Sequence, residues 1–145
     1  MPFRKVAVAI ITPTHTKKSF ELGLEMAKKF DSELTVIECM YKTPPKFYFF
    51  ETKSDKKLTQ NQTTKLKKEL ENWKGIAQKQ GVPIKTKLAL TENISHWVID
   101  YVKENNIDLL IVDYPKLSIE EITLFDDIIN VIHHKSHCHL LTTKS

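Results

Sequence analysis

The stretch IDLLIVDYPKLSIEEITLFDDIINVIHHKSHCHLL, Ile107 to Leu141, decides the fold. Ile107–Val112 is a short unbroken apolar run, the pattern of a strand buried on both faces of a parallel sheet. Asp113–Lys116 is a polar bend. Ser118-x-x-Glu121 is a capping box that would start an amphipathic helix, with Phe125, Ile128, Ile129 and Ile132 continuing its apolar face. The acids Asp126 and Asp127 offer a competing helix start. A last strand is expected over about His139–Thr143. Ligands of open α/β sheets sit beyond the carboxyl ends of the strands. The acid Asp113 and the missing glycine of Asp113–Lys116 therefore bear directly on function, and they argue against a phosphate-binding loop.

Working outward, Lys5–Ile11 (KVAVAII) is a second buried-strand run, and Thr12–Thr16 is a polar turn around Pro13. A helix is expected over Thr16–Phe30, with Phe20, Gly23, Leu24, Ala27 and Phe30 on one stripe. Glu33–Met40 (ELTVIECM) reads as the next strand, which completes a βαβ unit with a right-handed crossover. Tyr41–Asp55 is irregular around Pro44–Pro45. A long helix follows over Lys56–Gln80, facing inward through Leu66, Leu70, Trp73 and Ala77 and ended by Gly81. Val82–Leu90 alternates like a strand with one face less covered. Another helix begins at Thr91–Asn93, carries Ile94, Trp97, Val98, Tyr101 and Val102, and stops at Asn105–Asn106. The order β-α-β-α-β-α-β-α-β predicts an α/β fold: a three-layer sandwich with a doubly wound, mostly parallel, five-stranded sheet and four helices, spanning 1–145 as one domain.

Composition narrows the function classes. No apolar run approaches the ~20 residues of a membrane span, and the opening MPFRKVAVAII lacks a small-residue cleavage site. Two isolated cysteines, Cys39 and Cys138, suggest neither a disulfide framework nor a metal knuckle, and a reducing cytoplasm is the simple inference. The net charge of +4 is unevenly spread: residues 42–90 carry +8 and residues 91–145 carry −5. That polarity fits either electrostatic partner choice or a solvated lysine-rich helix face. No nucleophile elbow, HExxH or P-loop is present, so no catalytic residue is assigned.

Several segments in order resemble the universal stress protein family. KVAVAI, KKSFELGLEMAKKF and SELTVIECM look like its opening, IDLLIV like its hallmark fourth strand with Asp108 in place, and VIHHKSHCHLL like its closing segment with Cys138 on the family cysteine. The resemblance implies an adenine nucleotide alpha hydrolase-like fold, often paired into homodimers through the last strand, and a division between members that bind ATP and members that do not. The binders carry glycine, two residues, glycine, nine residues, then glycine and Ser/Thr after the fourth strand. Those positions here are Asp113, Lys116, Asp126 and Asp127, and the binders' aspartate at the end of the first strand falls on Ile11. The chain thus resembles the members that lack the glycine motif. A phosphate cradle needs backbone N–H groups free of Cβ, and the only glycines are Gly23, Gly75 and Gly81, none in a strand-to-helix bend. Each carboxylate beside a triphosphate adds ~1 kcal/mol of repulsion in water-like surroundings and several-fold more at lower dielectric. The expectation is a non-enzymatic, cytoplasmic stress-response domain acting through protein contacts, with no cofactor and no nucleic-acid or membrane partner.

Four other features compete with structural explanations. Thr12, Thr14, His15 and Lys116 would rim a cleft open to a less anionic ligand, such as a nucleoside. His133, His137 and His139, with His134 and Cys138, invite a metal proposal. In an extended segment, however, His137 and His139 face away from Cys138, and His133 and His134 suit a helix C-terminus. Phe47–Phe50, between Lys46 and Lys53, either plugs the cleft, contacts a protein partner or stacks on bases. Asp126–Asp127 read as first-turn acids of the last helix or as a cation site.

Overall fold

The computed structural model describes residues 3–11, 17–41, 53–114 and 119–144. Five strands alternate with four helices: β1 Lys5–Ile10, α1 Lys18–Phe30, β2 Glu33–Tyr41, α2 Lys53–Lys79, β3 Ile84–Thr91, α3 Ile94–Glu104, β4 Leu109–Tyr114, α4 Ile119–Lys135 and β5 His139–Lys144. The strands form one sheet in the order β3-β2-β1-β4-β5, and every pairing is parallel.

Strand alternation divides the core into two layers. Val6, Val8 and Ile10 of β1 pack with Phe20, Leu24 and Ala27 of α1 and with Leu70, Trp73 and Ala77 of α2. Ala7, Ala9 and Ile11 face the other way, toward Val98 and Val102 of α3 and Phe125, Ile128 and Ile132 of α4. Central β1 is therefore apolar on both faces, as its unbroken hydrophobic run requires. Gly23 lets α1 lie close on the sheet: a Cβ there would stand 2.7 Å from Val8 Cγ2 and 3.2 Å from Leu34 Cδ1.

The helix ends follow local chemistry. The Asn93 side chain caps α3 by accepting from the His96 amide at 3.1 Å. Beyond α2, Gly81 takes φ 76° while Val82 N–H donates back to the Ala77 carbonyl at 2.9 Å. After α1 a non-glycine, Asp31, adopts the left-handed cap conformation.

Three expectations are corrected. The last helix begins at Ile119, directly after Ser118, so Asp126 and Asp127 lie two turns inside it and are not its first-turn acids. Its macrodipole gives them little stabilisation there, because that effect fades beyond the terminal turn. The fourth strand starts at Leu109, not Ile107, because Ile107 still closes the turn out of α3, its N–H donating to the Val102 carbonyl at 3.0 Å. The third strand starts at Ile84, since Val82 closes the α2 cap and Pro83 offers no N–H to a ladder. At this sheet edge Lys85 and Lys87 stand exposed on the α3 side, so one face of β3 is indeed thinly covered.

Candidate functional site

β1 leads to a helix on one face of the sheet and β4 to a helix on the other, so the crevice between their carboxyl ends is the topological switch point. The β1 side of that crevice ends on Ile11, buried in the α3/α4 layer. The β4 side ends on Asp113, 1% exposed, whose Oδ1 accepts a hydrogen bond from Thr143 Oγ1 of β5 at 3.0 Å. Asp113 and Thr143 are register partners, and by alternation both share the α1/α2 face with Leu109 and Ile111. Also on this side is Ser19, in the first turn of α1 and fully buried, with an Oγ that finds no partner among the described residues. Asp126 and Asp127 ride on α4, across the sheet. The chain therefore splits the three acids between two faces instead of gathering them into one cluster.

Thr12, Thr14, His15, Lys116 and Phe47–Phe50 lie outside the described residues.

The histidines disperse. His133 and His134 are exposed in the last turn of α4 with their rings 5.2 Å apart, His137 is exposed, and His139 meets Phe3 edge-on at 6.2 Å. Cys138 packs against the α3/α4 layer, its Sγ 3.0 Å from Ser136 Oγ. Among the described residues, no three His, Cys, Asp or Glu side chains gather to hold a metal. Neither cysteine is poised as a nucleophile. Burial, reinforced by the Glu38 charge, pushes the Cys39 thiol up to about 12. Burial also raises the Cys138 thiol, against a lowering hydrogen bond from Ser136.

Asp108, at the opposite edge of the sheet, is a clamp. Its Oδ2 accepts from the backbone amides of Arg4 and Lys5, both at 2.9 Å. Its own N–H donates to the Lys5 carbonyl at 2.8 Å, and its carbonyl accepts from His139 N–H at 3.1 Å. One residue thereby ties together the amino ends of β1, β4 and β5. Nearby, a shallow dent is lined by Lys5, Glu33, Thr35, Lys85, Tyr101 and Asn105. There Glu33 lies 3.9 Å from Lys5 and 4.0 Å from Lys85, offsetting much of their charge.

The universal stress protein family model matches residues 2–144. The chain belongs to the universal stress protein family. Solved structures of that family share its fold. A protein from Burkholderia pseudomallei superposes with a TM-score of 0.76 at 12% identity, covering 99% of this chain and 97% of that one. Universal stress protein UspA from Lactobacillus plantarum gives 0.74 at 12% identity, covering 96% and 97%. The universal stress protein from Archaeoglobus fulgidus in complex with dAMP gives 0.65 at 12% identity, covering 98% of each chain. No curated protein matches the chain in sequence.

Within the universal stress protein fold, the hallmark Asp108 acts on backbone amides at the amino edge, remote from the switch-point crevice. A group the sequence reading passed over is Glu38 of β2, fully buried on the α1/α2 face, its Oε1 accepting from Trp73 Nε1 at 3.2 Å. The available signal was a lone carboxylate inside the apolar run VIECM.

Proposed function

We propose that this universal stress protein domain is a non-enzymatic regulatory module of the cytoplasm, paired into a homodimer through β5 and acting through protein contacts. In this reading its switch-point crevice does not take ATP in the manner of the family's glycine-motif members. One observation carries the proposal: where those members place the first glycine of the motif, this chain buries Asp113 and engages its carboxylate with Thr143. A Cβ and a negative charge stand where converging backbone N–H groups would be needed. The end of β1 supports it too, since Ile11 is apolar and turned into the core. The raised thiols of Cys39 and Cys138 support a role other than covalent catalysis. Phe47–Phe50 is the proposed protein contact.

Thermal-shift titration with ATP, ADP and AMP, each with and without magnesium, tests the nucleotide part. Unchanged melting at millimolar ligand is expected. A magnesium-dependent rise with ATP overturns it.

A second reading is a sensor of nucleosides or nucleoside monophosphates, rimmed by Thr12, Thr14, His15 and Lys116. It is favoured by the dAMP bound in the Archaeoglobus fulgidus relative, because a monophosphate carries less charge past Asp113 than a triphosphate does. Native mass spectrometry with added AMP distinguishes the two: an adduct of one nucleotide per chain favours the sensor, and a clean apo spectrum favours the first reading.

A further inference from the structure

The least comfortable group in the molecule is Glu38. It sits toward the carboxyl end of β2, with Ile10 of β1 and Leu88 of β3 as register neighbours, and no part of it reaches solvent. Its Oε1 is held by the Trp73 indole N–H, and the Trp73 ring in turn packs on Phe20 with centroids 4.4 Å apart. As a carboxylate, Glu38 leaves Oε2 buried without a donor among the described residues. Besides Trp73, it faces another acid, Glu69, one turn before Trp73 on α2. Two carboxylates cannot hydrogen-bond each other. A carboxylic acid and a carboxylate can, by sharing one proton.

We propose that Glu38 is a proton-loaded latch: in its neutral form it accepts from Trp73 and donates to Glu69, fastening α2 to the sheet, and loss of that proton to water releases α2. The charges facing the latch come from α2, which presents Glu69 and also Lys65, whose attraction favours ionisation. On its own strand Cys39 points into the opposite layer and feels the Glu38 charge. The register neighbours on β1 and β3 are apolar, and α1 contributes Phe20. Among the described residues, a buried anion beside Glu69 is thus favoured by one lysine and one indole, and the buried Asp113 on the same face adds a further acid. Desolvation first, and then Glu69, push the Glu38 carboxyl up to about 8, inside the range a cytoplasm under alkaline load would cross. The device depends on no nucleotide, and Asp113 lies on the same face two strands away, beyond Ile10.

Native-state hydrogen exchange of the whole protein, read at α2 amides around Trp73 and corrected for intrinsic base catalysis, tests it. If opening α2 releases the Glu38 proton, the opening constant should rise roughly tenfold per pH unit between pH 6 and 7. The rise should level off above about pH 8. Glu38→Gln keeps an acceptor for Trp73 and a donor for Glu69 without a titrating proton, and its α2 opening should be independent of pH. Should that variant fail to fold, Glu69→Gln carries the same test: removing the facing charge should bring the plateau to lower pH. A pH-independent opening constant in the native protein overturns the latch. So does an undiminished pH dependence in Glu38→Gln, or an unmoved plateau in Glu69→Gln.

Discussion

Asp113 Oδ1 and Thr143 Oγ1 lie 3.0 Å apart, joining the carboxyl end of β4 to the edge strand β5 at the mouth of the switch-point crevice. A nearly buried carboxylate at a ligand crevice is costly unless its oxygens are bonded. Thr143 supplies one such bond, so the side chain at the carboxyl end of β4 also helps to hold the last strand.

Thr143→Val is nearly isosteric and deletes only that donor. It should destabilise the fold by about 1–3 kcal/mol, the usual range for a lost bond to a buried charge. Urea unfolding at pH 7 measures the difference, and an unchanged midpoint would show that the bond adds no net stability.

Asp108→Ala should cost about 2–3 kcal/mol, because two charge-assisted backbone bonds disappear together. Exchange protection at Arg4 and Lys5 should fall most, since both amides donate to the lost carboxylate. Equal losses across α3 would point to a global effect and not to a clamp.

Gly23→Ala gains up to ~1 kcal/mol of helix propensity. It also forces a Cβ to 2.7 Å from Val8 Cγ2, an overpacking cost of about 1–3 kcal/mol. Net destabilisation is expected, with partial recovery in Gly23→Ala/Val8→Ala, where the obstructing methyl groups are gone. A double-mutant cycle by chemical denaturation gives the coupling.

Glu38 gives stability a definite sign with pH. Its folded pKa is raised from 4.5 to about 8, so the native state binds the extra proton in that window. The stabilising contribution is complete below about pH 4.5, declines as pH rises, and is gone above about 8. The slope approaches ~1.4 kcal/mol per unit at its steepest. Glu38→Gln should flatten this part of the profile and be more stable than the parent at pH 8.5, which a series of denaturant melts will show.

Leu141 is 38% exposed on the outermost strand, an apolar side chain beside an open ladder edge. If β5 forms the homodimer, Leu141→Arg should convert it to a monomer in light scattering while leaving the circular dichroism unchanged. A dimer persisting in that variant places the interface elsewhere.

Element order and layering were legible in the chain alone. Unbroken runs such as KVAVAI and LLIV permit only strands covered on both faces, and the helical stripe through Phe20, Leu24 and Ala27 names the residues that cover one of them. The sequence also showed that the bend after β4 lacks the glycine a phosphate cradle requires, because that requirement is local to the backbone. Where the acids go depends on the folded packing. Asp113 was legible as a charge near a crevice, but its bond to Thr143 spans thirty positions and depends on strand register. Asp126 and Asp127 were separated from it by the sheet, which no spacing argument reveals. Glu38 looked like an ordinary strand residue until α2 closed over it with Trp73 and Glu69, because burial and proton affinity are properties of the packed neighbourhood and not of the residue.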